Sequence, residues 1–217
     1  MMQSSAPATT AQRRALAAAF GFGAAAVLAA GGRFVCPTDA CPALPADAAG
    51  LALAHGWRDH LLDPTFLVAT WLGSLVVLVP SALLVGWRDW RSRSPRAAAF
   101  VPLALVGAAV LAHVAKFIAD RPRPDLFTAL IPMPADQSYP SAHAMQVTAF
   151  LLAMLLRPGT RPGPGAVLLA CLLAALVAVS RVYLQVHFPT DVAFGIVAAA
   201  LWVLALRCLP VWREGAR

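Results

Sequence analysis

Residues 97–119 read AAAFVPLALVGAAVLAHVAKFIA, and only His113 and Lys116 among them carry polar side chains. Crossing the hydrocarbon core of a bilayer takes about 20 predominantly apolar residues, so this stretch predicts a membrane span. It closes on Lys116, the single lysine of a chain whose other sixteen of 17 basic residues are arginine. The same window finds five more candidates, at 14–32, 65–87, 143–156, 165–181 and 190–209. The stretch at 143–156 is short and requires its flanks to sit at the interface or the bilayer to thin. Between the spans, the loops 88–96, 120–143, 157–164 and 182–189 hold most of the charge, Pro and Gly.

The composition agrees with this pattern. Of 217 residues, 60% are apolar and 12% charged, with a mean hydropathy of +0.71. Soluble domains run at about 25% charged, so a water-covered surface is hard to build from this chain. An intrinsically disordered chain is excluded, because such chains are poor in apolar residues. The expected fold is all-α: a six-transmembrane-helix bundle forming one domain over 1–217, with 1–13 a disordered cytoplasmic N-terminus. Arg13-Arg14 ahead of an Ala-rich run also suits a signal peptide, but the run exceeds the usual core of about 7–15 residues, which favours a retained helix. Absent Asn and abundant Ala fit the coding bias of G+C-rich bacteria.

Orientation follows from where Lys and Arg fall in short loops. With the N-terminus cytoplasmic, eleven of the 17 basic residues and two of the 10 acidic ones (Asp89 and Glu214) lie inside, and the other six and eight lie outside. That gives +9 inside and −2 outside, which sum to the net +7. The basic balance therefore expresses orientation in a bilayer and gives no reason to expect nucleic acid. Both termini are expected in the cytoplasm and the lipid bilayer is the first partner. Trp87, Trp90 and Trp212 fall near inner ends and Trp57 near an outer loop, as interfacial belts require; Trp71 and Trp202 read as packing residues. Cys36 and Cys41 stand in an oxidising compartment in this topology, so a short-loop disulfide is open to them. Cys171 and Cys208 read as small, buried packing residues.

Ionisable side chains in or beside spans are expensive and point to function. Lys116, Arg123, His143, Arg181, His187 and Asp191 all fall at the outer ends of spans or in the two outer loops that join them. Two arginines and a lysine there read as an oxyanion clamp, with Arg binding phosphate bidentately and Lys acting as a point charge. Ser141 adds a hydroxyl, and 139–143 leads into a helix N-terminus, where backbone N–H groups favour an anion. His187 and Asp191, four apart, share a helix face; a carboxylate on one ring nitrogen leaves the other free to attack. His143 supplies a second imidazole for proton transfer. His113, one turn before Lys116, reads as a hydrogen-bonded core residue with a place in the site as the alternative. Arg121 is expected to meet Asp120, lipid headgroups or substrate.

Lys116-x6-Arg123-Pro124, Pro140-Ser141-Ala142-His143 and Ser180-Arg181-x5-His187-x3-Asp191 together resemble the type 2 phosphatidic acid phosphatase (PAP2) superfamily, whose pattern is KxxxxxxRP, PSGH and SRxxxxxHxxxD. Ten of the eleven fixed positions match in order and spacing. The exception is Ala142, where the family has Gly; a backbone N–H role tolerates the methyl group provided φ is negative. The resemblance implies a lipid phosphatase without metal or cofactor. Lys116, Arg123, Ser141, Ala142 and Arg181 would hold the phosphate. His187 would be the nucleophile, Asp191 its orienting carboxylate, and His143 the acid and base. It further implies the bacterial cytoplasmic (inner) membrane, an active site facing the periplasm, and lipid phosphates such as undecaprenyl diphosphate, phosphatidylglycerophosphate or phosphatidate as substrates. Lipid phosphotransfer at the same site is a close variant, and a non-enzymatic anion or lipid carrier is the other class of function. A carrier needs the charge but not a nucleophile with an orienting carboxylate. The soluble vanadium haloperoxidases share the motifs but not the spans.

Overall fold

Each long apolar run begins where a capping side chain or a proline stands. The computed structural model describes residues 8–37 and 41–212, and no strand occurs among them. Helix α1 (Thr10–Val35) starts on Thr9, whose hydroxyl accepts from the Gln12 N–H while the Gln12 side chain returns the bond, a reciprocal cap. Helix α5 (Pro95–Ala119) starts on Ser94, with a proline in its first turn. Prolines also open α2 (Pro45–Gly56), α7 (Pro164–Tyr183) and α8 (Pro189–Cys208), where the missing N–H costs nothing. The remaining helices are α3 (Leu62–Ala69), α4 (Leu75–Ser92) and α6 (Ala142–Leu156).

Helix α1 packs along α8, α4 along α5, and α6 lies against α5, α7 and α8. The contacts are made by small side chains: Ala104, Ala108 and Ala112 on α5, Ala149 and Ala153 on α6, and Ala198 and Ala199 on α8 are all buried. Without a hydrophobic driving force in lipid, such residues let backbones approach closely and pack. Large apolar side chains point outward instead, with Phe117 88% and Ile118 76% exposed. A soluble domain does not present such a surface to water, and the chain is a multi-pass membrane protein.

Among the described residues, α1, α5, α7 and α8 are long and apolar enough to cross a membrane. The stretch expected at 65–87 is broken. Helix α3 runs into a 3₁₀ turn, Thr70–Gly73, and Ser74 then caps α4, so the two halves meet at 46° and pass the same test only as a pair. At 15 residues, α6 rises about 22 Å and is shorter than the hydrocarbon core. It is surrounded by other helices, which relieves it of facing lipid along its whole length.

Other expectations shift. Helix α1 begins at Thr10, inside the 1–13 segment expected to be disordered; residues 1–7, and Asp39, Arg213, Glu214 and Arg217 of the charge count, lie outside the described residues. Helix α2 occupies what reads as an outer loop. Cys36 and Cys41 are joined as a disulfide. Cys171 is exposed on α7 rather than buried, and Trp71 is 56% exposed. Trp202 packs as expected, its Nε1 donating to Ala104 O at 3.0 Å.

Candidate active site

The fold brings the C-terminal ends of α5 and α7 and the N-terminal ends of α6 and α8 to one end of the bundle. That places Lys116, His143, Arg181 and Asp191 together, and the segments 120–141 and 184–188 add Arg123, Ser141 and His187. Arg123 Nη1 donates to Val186 O at 2.6 Å and lies 3.2 Å from His187 Nε2. Its Nε and Nη2 donate to Asp136, to the backbone O at 2.7 Å and to Oδ1 at 2.6 Å. Lys116 Nζ lies 3.2 Å from Asp136 Oδ2 and donates to Gln137 O. Arg181 Nη1 donates to Thr70 Oγ1 at 2.5 Å. The break in the second apolar stretch thus has a use: its 3₁₀ turn presents Thr70 to Arg181. Gly73 at the end of that turn lies so close to His143 that a Cβ there would stand 3.1 Å from the His143 carbonyl oxygen.

Two buried polar atoms in this cluster have no hydrogen-bond partner among the described residues, Ser141 Oγ and Arg181 Nε. Ser141 is the N-cap of α6, yet its hydroxyl does not cap. An unsatisfied buried polar group costs about 1–3 kcal/mol, and here two donors are held ready beside three cations. Ala142 is the first residue of α6, and its φ is not positive, so the methyl group strains nothing.

His187 is buried, with Nδ1 at 3.5 Å from Asp191 Oδ2. This is long for a hydrogen bond. The arrangement suits a proton on Nδ1 and leaves Nε2 turned toward Arg123. Burial lowers the His187 pKa well below 6.5, and the positive charges of Arg181, Arg123 and Lys116 push the same way. The ring is therefore a neutral imidazole, with its Nε2 lone pair turned to Arg123 Nη1. Asp191 Oδ2 also accepts from Ser138 Oγ at 2.5 Å and from the Phe188 N–H at 3.0 Å. Among the described residues, no three His, Cys, Asp or Glu side chains group as a metal-ligand set.

This assembly of three cations, two histidines and one carboxylate gathers the three motifs in space. Residues 97–214 match the family model of the PAP2 superfamily. The chain belongs to the PAP2 superfamily. Among PAP2 structures it is similar to the transmembrane PAP2 type phosphatidylglycerolphosphate phosphatase from Bacillus subtilis, with a TM-score of 0.66 and 24% identity over 91% of this chain and 94% of that one. It is also similar to LpxE from Aquifex aeolicus, with a TM-score of 0.63 and 23% identity over 75% and 96% of the two chains. In sequence it is 39% identical over 97 residues to an undecaprenyl-diphosphatase of Sulfolobus acidocaldarius. That match spans 43% of this chain and 45% of the relative's own length.

All eight expected PAP2 positions lie at this end of the bundle. Sequence reasoning missed four neighbours. Asp136 lies across Lys116 and Arg123, Ser138 holds Asp191, Thr70 holds Arg181, and Asp47 on α2 holds Arg121. Arg121 itself corrects an expectation: it meets neither Asp120 nor headgroups but is fully buried, paired with Asp47 at 2.7 Å and Asp191 at 2.6 Å. The tandem Arg121-Pro122-Arg123-Pro124 was the available signal for it. His113 is exposed and bonds Ala109 O of its own helix at 2.7 Å, so it belongs to neither site nor core.

Proposed function

We propose that the protein hydrolyses phosphate or diphosphate groups on membrane lipids through a phosphohistidine, without a metal. The observation that carries this reading is His187, neutral and backed by Asp191, facing a cluster of Lys116, Arg123 and Arg181 in which Ser141 Oγ and Arg181 Nε have no hydrogen-bond partner among the described residues. Those cations, with Ser141 Oγ and the Ala142 N–H, hold the phosphoryl oxygens and the charge that builds in the transition state. His187 Nε2 attacks phosphorus in line, and Asp191 holds the ring as it becomes cationic. The leaving oxygen takes a proton from His143. Water then attacks phospho-His187 while His143 accepts the water's proton, returning the enzyme and releasing phosphate.

The lipid class follows from the bilayer setting and from the undecaprenyl-diphosphatase relative. In this reading α1, the bent α3–α4 pair, α5, α6, α7 and α8 make six passes of a bacterial cytoplasmic membrane. The termini are cytoplasmic and the site faces the periplasm, where outer-leaflet lipid phosphates reach it. Phosphate release by detergent-purified protein from undecaprenyl diphosphate, phosphatidylglycerophosphate and phosphatidate, in the presence of chelator, tests this. Turnover of one of these lipids is expected, and none is expected for His187→Ala. Full activity in that variant overturns the mechanism.

A further inference from the structure

Arg121 and Asp47 stand behind the His187–Asp191 pair, on the side away from Arg123. Arg121 Nη1 donates to Asp191 Oδ1 at 2.6 Å and to Thr190 Oγ1 at 2.9 Å, and Nη2 donates to Asp47 Oδ2 at 2.7 Å. Its guanidinium lies 3.9 Å over the Phe188 ring. Asp47 in turn reaches the N-terminus of α8, with Oδ1 accepting from the Thr190 N–H at 2.9 Å and Oδ2 from Thr190 Oγ1 at 2.8 Å. Arg121, Asp47 and Asp191 are each wholly buried. Asp47 sits on α2, outside the 97–214 region that matches the family.

We propose that Arg121 and Asp47 are positioning residues for the nucleophile, acting through Asp191. By occupying Oδ1, the rigid fork of Arg121 fixes the carboxylate plane and keeps Oδ2, held also by Ser138 and the Phe188 N–H, turned toward His187. A lone guanidinium there would also neutralise Asp191, just when the attacking imidazole becomes cationic and needs a negative partner. Asp47 removes that conflict. Two carboxylates against one guanidinium leave the buried triad with one net negative charge behind His187. This inference rests on the phosphohistidine reading of the site.

The test is kcat and KM on a radiolabelled lipid phosphate, with vanadate inhibition, for R121Q, R121K and D47N, each alone and combined with D191N. H187A serves as control. R121Q is expected to lower kcat about 10- to 100-fold, as for other partners that orient a catalytic ligand, and D47N to lower it less. KM and vanadate inhibition stay within about twofold. Because the effect passes through Asp191, either substitution costs under about twofold once D191N is present. Undiminished loss in the D191N background, a loss carried by KM, or wild-type kcat in folded D47N overturns the proposal. If R121Q does not give monodisperse protein in detergent, R121K and D47N decide by the same criteria. Full turnover by H187A would instead sink the underlying mechanism. H187A inactive with no coupling to Asp191 sinks this inference alone.

Discussion

The carboxylate of Asp136 sits on the guanidinium of Arg123, with Oδ1 2.6 Å from Nη2. Its other oxygen lies 3.2 Å from Lys116 Nζ, so one acidic side chain covers two of the three cations proposed to take phosphate. Partial burial alone would raise the Asp136 pKa, but Lys116 and Arg123 outweigh it and hold it down at about 2. The carboxylate is therefore charged at any working pH and competes with an incoming anion. Asp136→Asn is expected to tighten competitive inhibition by inorganic phosphate about 2- to 5-fold, the range of a half-exposed ion pair. An unchanged inhibition constant would show that phosphate binds beside Asp136 rather than in its place.

The buried, neutral His187 makes stability depend on pH in a definite direction. Its native pKa lies well below 6.5, first through burial, then through Arg181, Arg123, Lys116 and His143; Asp191 is the negative group facing the ring. As pH falls below 6.5, the unfolded chain binds a proton that the native ring refuses, so stability falls. The melting temperature in detergent is expected to drop between pH 6.5 and about pH 5, and less steeply in His187→Gln. Equal slopes for the two proteins count against a neutral native ring.

Gly107 on α5 faces Trp202 on α8 so closely that a Cβ there would overlap the indole. The ring cannot swing aside without losing its bond from Nε1 to Ala104 O. Gly107→Ala is expected to destabilise the protein by about 1–3 kcal/mol, the cost of overpacking. Trp202→Leu in the same chain should absorb most of that cost. Thermal melts of the single and double variants check both, and additive losses would mean that the two residues are not in contact.

Membrane orientation is open to a labelling test. In a background with Cys171 and Cys208 replaced by Ser, Asp125→Cys is expected to react with an impermeant maleimide from the periplasmic side of intact cells. Arg161→Cys is expected to react only after the membrane is permeabilised. The reverse pattern inverts the topology.

The bundle's long helices were legible because their signals are local. Spans read at 97–119, 165–181 and 190–209 became α5, α7 and α8 with ends moved by one or two residues, since the flanking Ser and Pro residues set the starts. The site was legible for a related reason: Lys116, His143, Arg181 and Asp191 sit at span ends, and topology alone sends those ends to one face. The 3₁₀ turn at Thr70–Gly73 was hidden inside an apolar run, which hydropathy reads as continuous.

The sequence by itself determined that this chain lives in a bilayer, which way its charge leans, and which residues are candidates for phosphate chemistry. Each of these rests on composition or on spacing within a few turns of helix. Only the tertiary structure decided that Asp47 and Arg121, 74 positions apart, stand behind Asp191, and that Asp136 lies across Lys116 and Arg123. The physical reason is distance along the chain. An ion pair between distant residues has no signature in the sequence: it forms only when folding brings the two charges together and, for Arg121 and Asp47, removes both from water and leaves each as the other's partner.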